Sequence, residues 1–442
     1  MWKPSVLISH CLNISLVALT SFYASPASAQ EYTLAQALEQ PTVAQPAPNT
    51  LTLAQALLLA QQRSEALRAQ DEAVRAAQSQ SVAAFELPDP MLMLEVSNIP
   101  VNGPDQFSLA ADFMTMRGVG VSQTFTREGK RLAQVDVFNK SAEFEQTRKW
   151  LALSQLRTGT AQAFLDQVYL QAMLGLLKAQ RSELALQIEA ADALYRSGKG
   201  SQIDLFAART ELGMLDVRIQ DTLAQLDNAG AELQRWVGDI GPFSVDGAVD
   251  LSRSRLQGVD LSAHLTQHPE VLALDKLAQQ FQAQAQLKEQ EKTADWTLSV
   301  MYAGRGPAFS EMLTLGASRP LFVDEGNRQD QAVVAAQAMV AKAQAERLEM
   351  LRMQVLEARR WQQTWTSNLK RLRDFNQSLI PLTQQRTQAA LAAYRGNVGS
   401  LNDVLAARRM EIDMRMEKLR IEMETARIWA QLEYLIPAEV QR

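Results

Sequence analysis

Two aspartates occupy the same place in a motif that this 442-residue chain contains twice. Tyr195-Arg-Ser-Gly-Lys-Gly-Ser-Gln-Ile-Asp-Leu-Phe-Ala-Ala-Arg209 returns 199 residues later as Tyr394-Arg-Gly-Asn-Val-Gly-Ser-Leu-Asn-Asp-Val-Leu-Ala-Ala-Arg408. In both copies a helical pattern runs into Tyr-Arg, glycines stop it, and Ser-x-x-Asp opens the next helix with cap-type residues. The chemistry of Asp204 and Asp403 is therefore at least that of helix N-terminal acids, complementing free backbone donors. Other chemical candidates are sparse. His264 and His268 stand four apart at a helix start, a spacing that can hold a metal, but no carboxylate falls in a ligand pattern with them and they read as structural. Met91, Met93, Met114 and Met116 could touch soft copper or silver ions; at strand and loop positions they read as lipid-facing or packing residues. The one cysteine, Cys11, three histidines in all and no Gly-rich loop after a strand leave no catalytic set, so no enzyme, no cofactor and no resident metal are expected.

The elements that must carry the two motifs are long. Hydrophobic residues make up 47% of the chain but aromatics only 6%, which favours helices over compact sheets. From about Leu132 to Tyr195 a proline-free helical pattern persists, with Leu151, Leu153, Leu156, Phe164, Val168, Leu174 and Leu177 recurring along it. Such a helix is about 100 Å long and must pack along its whole length, as in a coiled coil. The first motif turns the chain round and a shorter helix runs to about Val237. Upstream, a helical stretch from Leu53 to Phe85 ends at Leu87-Pro-Asp-Pro90. Two stretches of period two then follow, Leu92/Leu94/Val96 and Val119/Val121/Phe125, separated by a long loop.

The second half repeats this plan. A helix over Leu261–Lys292 with His268-Pro-Glu270 at its start leads to strands at Trp296–Ala303 and Leu313–Ser318. A second very long helix reaches Tyr394, and its Pro381 should kink it before the turn. The predicted organisation is a leader over 30–50, a first repeat over 51–240 with strand pair 91–125 and tip 195–204, and an irregular connector over 241–259. A second repeat over 260–436, with strand pair 296–319 and tip 394–403, and a tail over 437–442 complete it.

The start reads as a secretory signal over 1–29: Lys3 supplies the positive end, Val6–Leu19 the apolar stretch and Ala27-Ser-Ala29 the cleavage pattern. Beyond it no run of 18 apolar residues predicts a transmembrane helix. A formal charge of −5 without Lys/Arg blocks gives no reason to expect nucleic acid. Four strands of membrane-crossing length cannot close a barrel alone, and long apolar helix faces cannot all be buried within one hairpin. Several copies sharing one barrel and one helical tube would solve both problems; a soluble coiled-coil protein with a small separate sheet is the alternative.

The duplicated Tyr-x-x-Gly-x-x-Ser-x-x-Asp tips, Gln267-His-Pro-Glu270, Gly120-Val-Ser-Gln-Thr-Phe-Thr-Arg-Glu-Gly-Lys-Arg131 and Gly316-Ala-Ser-Arg-Pro-Leu-Phe322 together resemble a TolC-type outer-membrane efflux protein over essentially the whole chain after the signal. The resemblance implies a mainly α fold with a membrane β-barrel. Long antiparallel hairpins would form an α-barrel, and four strands per chain would close a 12-stranded barrel in a homotrimer. It also implies a place in the outer membrane of a Gram-negative bacterium, in contact with its lipid, and partnership with a periplasmic adaptor and an inner-membrane pump of the resistance-nodulation-division type.

Pro88-Asp-Pro-Met-Leu92 and Asn98-Ile-Pro100 are similar to the heavy-metal (CzcC- and CusC-like) branch, which implies metal-ion export; ducts for drugs or type I-secreted proteins, or a soluble periplasmic adaptor, are the competing functions. An adaptor would be expected to carry a lipoyl-like β-domain beside a single hairpin. By resemblance the periplasmic gate would comprise Asp403, Asp204, Tyr394, Arg395, Tyr195 and Arg196, with Gly198, Gly200, Ser201, Gly396, Gly399 and Ser400 forming the adaptor-docking tips. The family's second acid, three residues after Asp403, is here Ala406, which departs from a two-ring gate.

Overall fold

In the computed structural model, residues 49–198, 200–241, 243–246, 249–396 and 398–441 are described. They lie in the unit spanning Pro48–Arg442, while the other unit, Met1–Ala47, falls outside the described residues. The predicted signal and nearly all of the leader are therefore outside them.

The first half runs β1 (Asn49–Thr52), α1 (Leu53–Arg63), α2 (Glu65–Phe85), β2 (Met91–Ser97), β3 (Met116–Phe125), α3 (Glu128–Arg196) and α4 (Gln202–Val237). β4 (Phe243–Asp246) and α5 (Leu261–His264) lead to the second half: α6 (Pro269–Glu291), β5 (Trp296–Gly304), β6 (Met312–Ser318), α7 (Gln329–Asp374), α8 (Ile380–Arg395) and α9 (Leu401–Tyr434). With 69 residues, α3 is about 100 Å long. It is the spine on which α2, α4, α6 and α9 pack.

Four differences from the sequence reading have local causes. The helix expected over Leu53–Phe85 breaks at Ser64, whose hydroxyl caps α2 by accepting from the Leu67 N–H at 3.2 Å. The helix expected from Leu261 likewise restarts at His268. Its Nδ1 accepts from the Glu270 N–H at 3.3 Å, and Pro269 opens α6 with its fixed φ and no N–H to satisfy. The end of the leader and the supposedly irregular connector pair with each other: β1 runs parallel to β4, Leu51 opposite Val245. Four-residue strands carry too little periodicity to show in sequence. Finally, the bend expected at Pro381 takes the form of a π turn over Phe375–Leu379, where the Ile380 N–H reaches back to the Phe375 carbonyl. The proline has no N–H to offer the carbonyl four residues earlier, so the ladder slips by one.

Of four clusters of buried side chains among the described residues, the two largest hold most of the helices. One, in the middle of the fold, gathers Leu51, Phe164, Leu165, Leu233, Leu256, Leu265, Trp365 and Trp429. Here the two indoles hold the connector, donating to the Leu251 carbonyl at 3.0 Å and the Arg253 carbonyl at 2.8 Å. The other gathers Leu184 and Ala191 from α3, Leu205 and Leu215 from α4, and Leu401, Leu405 and Ile412 from α9. Since Leu205 and Leu401 begin their helices, both tips lie side by side at one end.

All four longer strands form one antiparallel sheet in the order β2-β3-β5-β6, leaving β2 and β6 as edges. Its register aligns Leu94, Val119, Tyr302 and Leu313 in one row and Leu92, Val121, Val300 and Leu315 in the next. Below them stand Phe125 opposite Trp296. Period two thus puts every strand aromatic and branched aliphatic on a single face, and that face is exposed, with Leu94 at 76% and Leu315 at 74%. Among the described residues no helix is long and apolar enough to cross a membrane.

Candidate functional site

Each tip is built by a glycine that must sit against the end of the preceding helix. At the first, Gly198 has φ +73, and the Gly200 N–H donates to the Leu194 carbonyl at 3.0 Å. A Cβ on Gly200 would stand 2.9 Å from the Tyr195 nitrogen, closer than side chains tolerate. At the second, the Gly399 N–H donates to the Ala393 carbonyl at 3.1 Å, and a Cβ there would lie 3.0 Å from that of Ala393. Gly396 is different: it caps α8 at φ −79, a conformation open to any residue. Ser201 and Ser400 are N-caps, accepting from the Ile203 N–H at 3.2 Å and the Asp403 N–H at 3.1 Å.

Asp403 completes a capping box. Its Oδ2 accepts from the Ser400 hydroxyl at 2.7 Å and the Ser400 N–H at 3.2 Å, and these two bonds, the hydroxyl first, hold its carboxyl below the usual range. It remains exposed, so the carboxylate stays charged and open to solvent while it caps. Asp204, half-buried, occupies the same first-turn position of α4.

The other predicted gate residues divide. Tyr394 packs against the tip cluster, and with Arg395, Leu194 and Leu401 it lines a cavity of about 310 Å³. Tyr195 is exposed, and Arg196 pairs within its own helix, Nη2 to Asp192 Oδ2 at 2.7 Å, while Arg209 approaches the same carboxylate at 3.6 Å. The two Tyr-Arg pairs thus have different surroundings despite their identical sequence.

Behind the tips lies a collar of charge that the sequence reading missed. Arg408 pairs with Glu183 and, at 3.3 Å, with Glu411; Arg409 pairs with Glu211; Arg218 meets Asp413 at 2.8 Å. These pairs join α9 to α3 and α4, linking the first hairpin to the second around a cavity of about 350 Å³. Glu411 is buried, and Arg415 holds its other oxygen at 2.8 Å. The available signal was Arg209/Arg408 at the end of each motif, which had been counted only as repeat identity.

The structure gives His268 a structural part. His268 is buried, and burial pushes its imidazole down to about 4, so the ring is neutral and its Nδ1 serves as the helix cap. Met91, Met93 and Met116 lie on the face opposite the apolar one, beside Glu95, Ser97, Ser122 and Thr124, and only Met114 is in a loop. Met91 is 62% exposed and Met114 50%, whereas Met93 and Met116 are half-buried.

No protein-family model matches the chain, and no curated protein matches its sequence. Solved structures match its fold. CusC, described as forming a transmembrane channel, superposes with a TM-score of 0.72 at 16% identity, over 86% of this chain and 91% of its own. The outer-membrane channel OprN gives 0.71 at 15% identity, over 87% of this chain and 89% of its own. The CmeC outer-membrane channel of Campylobacter jejuni gives 0.72 at 14% identity, over 87% and 85%. The fold expected from the TolC-type resemblance is the fold found: this chain is built as those outer-membrane channels are.

Proposed function

We propose that the protein is a passive outer-membrane exit duct, three copies of which close a 12-stranded barrel in the lipid and an α-helical tube beneath it. One observation carries this reading. The sheet exposes one face that carries every leucine, valine and aromatic of its strands, with Arg117 and Gln123 the only charged or amide side chains on it, and leaves two edge strands, β2 and β6, unpaired, at one end of helices whose tips gather at the other. Neither feature is stable alone in water or lipid; joining β6 of one copy to β2 of the next removes the edges and leaves the apolar face toward lipid. The fold likeness to outer-membrane channels supports the same assembly.

In this reading the tips form the periplasmic mouth and meet a periplasmic adaptor, which links the duct to an inner-membrane pump. Gly198, Gly200, Ser201, Gly396, Gly399 and Ser400 present the docking surface. Asp403 and Asp204 place carboxylates at the aperture, with Tyr195, Arg196, Tyr394 and Arg395 around them. The cargo we infer is heavy-metal cations, on the sequence resemblance of the Pro88–Pro100 stretch to the metal branch.

The test is a heat-modifiable trimer in the outer-membrane fraction that conducts ions when reconstituted; a wholly soluble monomer overturns the reading. The gate is tested separately. Asp403→Asn should reduce cation preference or cation block in single-channel recordings, and unchanged behaviour removes Asp403 from the mouth.

A further inference from the structure

The second face of the sheet has a composition that neither the fold nor the barrel requires. All five methionines of the four strands lie on it: Met91 and Met93 in β2, Met116 in β3, Met301 in β5 and Met312 in β6. The register rules out accident of alignment. Met93, Gly120, Met301 and Thr314 form one row, and Glu95, Gly118, Ala303 and Met312 the next. The remaining positions are Ser, Thr, Gly or Ala, with no Lys or Arg and no branched aliphatic or aromatic side chain.

Two glycines make room for the thioethers. The Met301 Sδ lies 2.8 Å from where a Cβ on Gly118 would stand, so the side chain leans over Gly118, whose register neighbour is Glu95. The Met301 Cα and Cβ fill the corresponding space above Gly120, which separates Met301 from Met93. Were these methionines only volume, leucine or valine would serve, as they do on the opposite face. Here instead the larger apolar side chains are the polarizable, sulfur-bearing ones, and none of the five is fully buried: Met91 and Met312 are exposed, and Met93, Met116 and Met301 half-buried.

Thioethers are soft ligands that select monovalent copper and silver over hard cations, and a face without basic residues does not repel them. We propose that this face is a binding shelf for soft monovalent metal cations, formed by Met93, Met301 and Met312 with Met91 and Met116 at its margins. It rests on the duct reading to the extent that this face lines the lumen, where three copies would ring the path with thioethers beside Glu95.

The experiment loads the purified trimer with silver(I), Cys11 having been replaced by serine throughout, and reads the silver X-ray absorption fine structure. Sulfur scattering is expected. It should be lost when the five strand methionines are changed together to leucine, a swap that keeps volume and removes sulfur. It should persist when Met339, Met350 and Met353 of α7 are changed instead. Scattering without sulfur in the parent, or sulfur scattering that survives the five-fold change, overturns the shelf.

A readout on the unaltered sheet guards against a variant that fails to assemble. Silver should slow peroxide oxidation of Met93, Met301 and Met312, read by peptide mass spectrometry, and leave exposed Met339 and Met353 unprotected. Equal protection or none at the two sets overturns the proposal. A sheet that ignores silver in a protein still forming the outer-membrane trimer removes the shelf and leaves the duct standing.

Discussion

Leu315 stands at the middle of β6, in the row with Leu92, Val121 and Val300, and in the single chain it is 74% exposed. That exposure makes one substitution decisive. If the face meets water, Leu315→Arg is a surface change with no partner to lose, and its effect should stay within about 0.5 kcal/mol. If the face meets hydrocarbon near the bilayer midplane, arginine costs about 2–4 kcal/mol per copy, hence about 6–12 kcal/mol in a trimer if the copies add. Thr314 is the control: it is next in the chain, also exposed, at the same height and on the other face. Thr314→Arg should behave like a substitution in a hydrated lumen and cost little. The assay is urea unfolding of the trimer refolded into liposomes, with the outer-membrane trimer yield in cells beside it. Loss of the trimer at Leu315→Arg with near-normal behaviour at Thr314→Arg is the expected pair. Equal tolerance at both positions, or a larger loss at Thr314, refutes the assignment of the apolar face to lipid and with it the barrel.

Further expectations concern the helical part. Gly200→Ala should lower stability by about 1–3 kcal/mol and speed proteolysis at the first tip, because its Cβ would meet the Tyr195 nitrogen at 2.9 Å. Gly396→Ala, with φ −79 and no atom nearer its Cβ than 3.4 Å, should do neither. Ser400→Ala removes the α9 cap and half of the capping box, for about 1 kcal/mol in chemical denaturation. His268 supplies a pH dependence. Its folded value, about 4, lies below the ordinary 6.5, so the unfolded chain binds the proton more tightly. The stability this group contributes is complete above pH 6.5 and falls as pH drops toward 4, by at most about 3 kcal/mol. His268→Asn, which can cap without titrating, should flatten that part of the melting-temperature profile between pH 7.5 and 5; an unchanged profile would show that the imidazole titrates alike in the folded and unfolded chain. Arg408→Ala should loosen the collar by about 1–3 kcal/mol, since Glu411 keeps Arg415 but Glu183 loses its partner. The measurement is hydrogen exchange along α9.

Much of the fold was legible because its signals are long or repeated. A 69-residue helix without proline announces itself many times over, and two copies of one motif fix the number of hairpins without any knowledge of packing. The strands were legible for a different reason. Alternation in Leu92-Met-Leu-Glu-Val96 or Trp296-Thr-Leu-Ser-Val-Met-Tyr302 needs only one face in an apolar medium, and the pattern does not say which medium. What escaped were features created by pairing residues far apart in sequence. β1 and β4 are four residues each and define one another across almost two hundred positions. Trp365 and Trp429 were visible as residues, but their bonds to the Leu251 and Arg253 carbonyls depend on where the connector lies.

The methionines show where the reading of single elements stops short. In sequence, Met93 alternates with Leu92 and Leu94 and shares its side with Glu95 and Ser97, so period two already separates it from the leucines within its own strand. The register across four strands carries that sorting through the sheet: every strand leucine, valine and aromatic falls on one face, with Arg117 and Gln123 among them, and every strand methionine falls on the other with serine, threonine, glycine, alanine and Glu95. The distinction is one of polarizability and shape rather than of hydrophobicity, which is why a hydropathy pattern passes over it. The same argument applies at the tips. Tyr195-Arg196 and Tyr394-Arg395 are identical as text, yet Arg196 is tied to Asp192 in its own helix while Tyr394 is packed into the core and Arg395 lines the cavity beside it. A duplicated sequence has therefore become two unlike hairpin tips. The second half also has a π turn and proline above its tip and Ala406 three residues past Asp403. Any opening at that end is expected to be unequal between the hairpins, with α8 and α9 giving first.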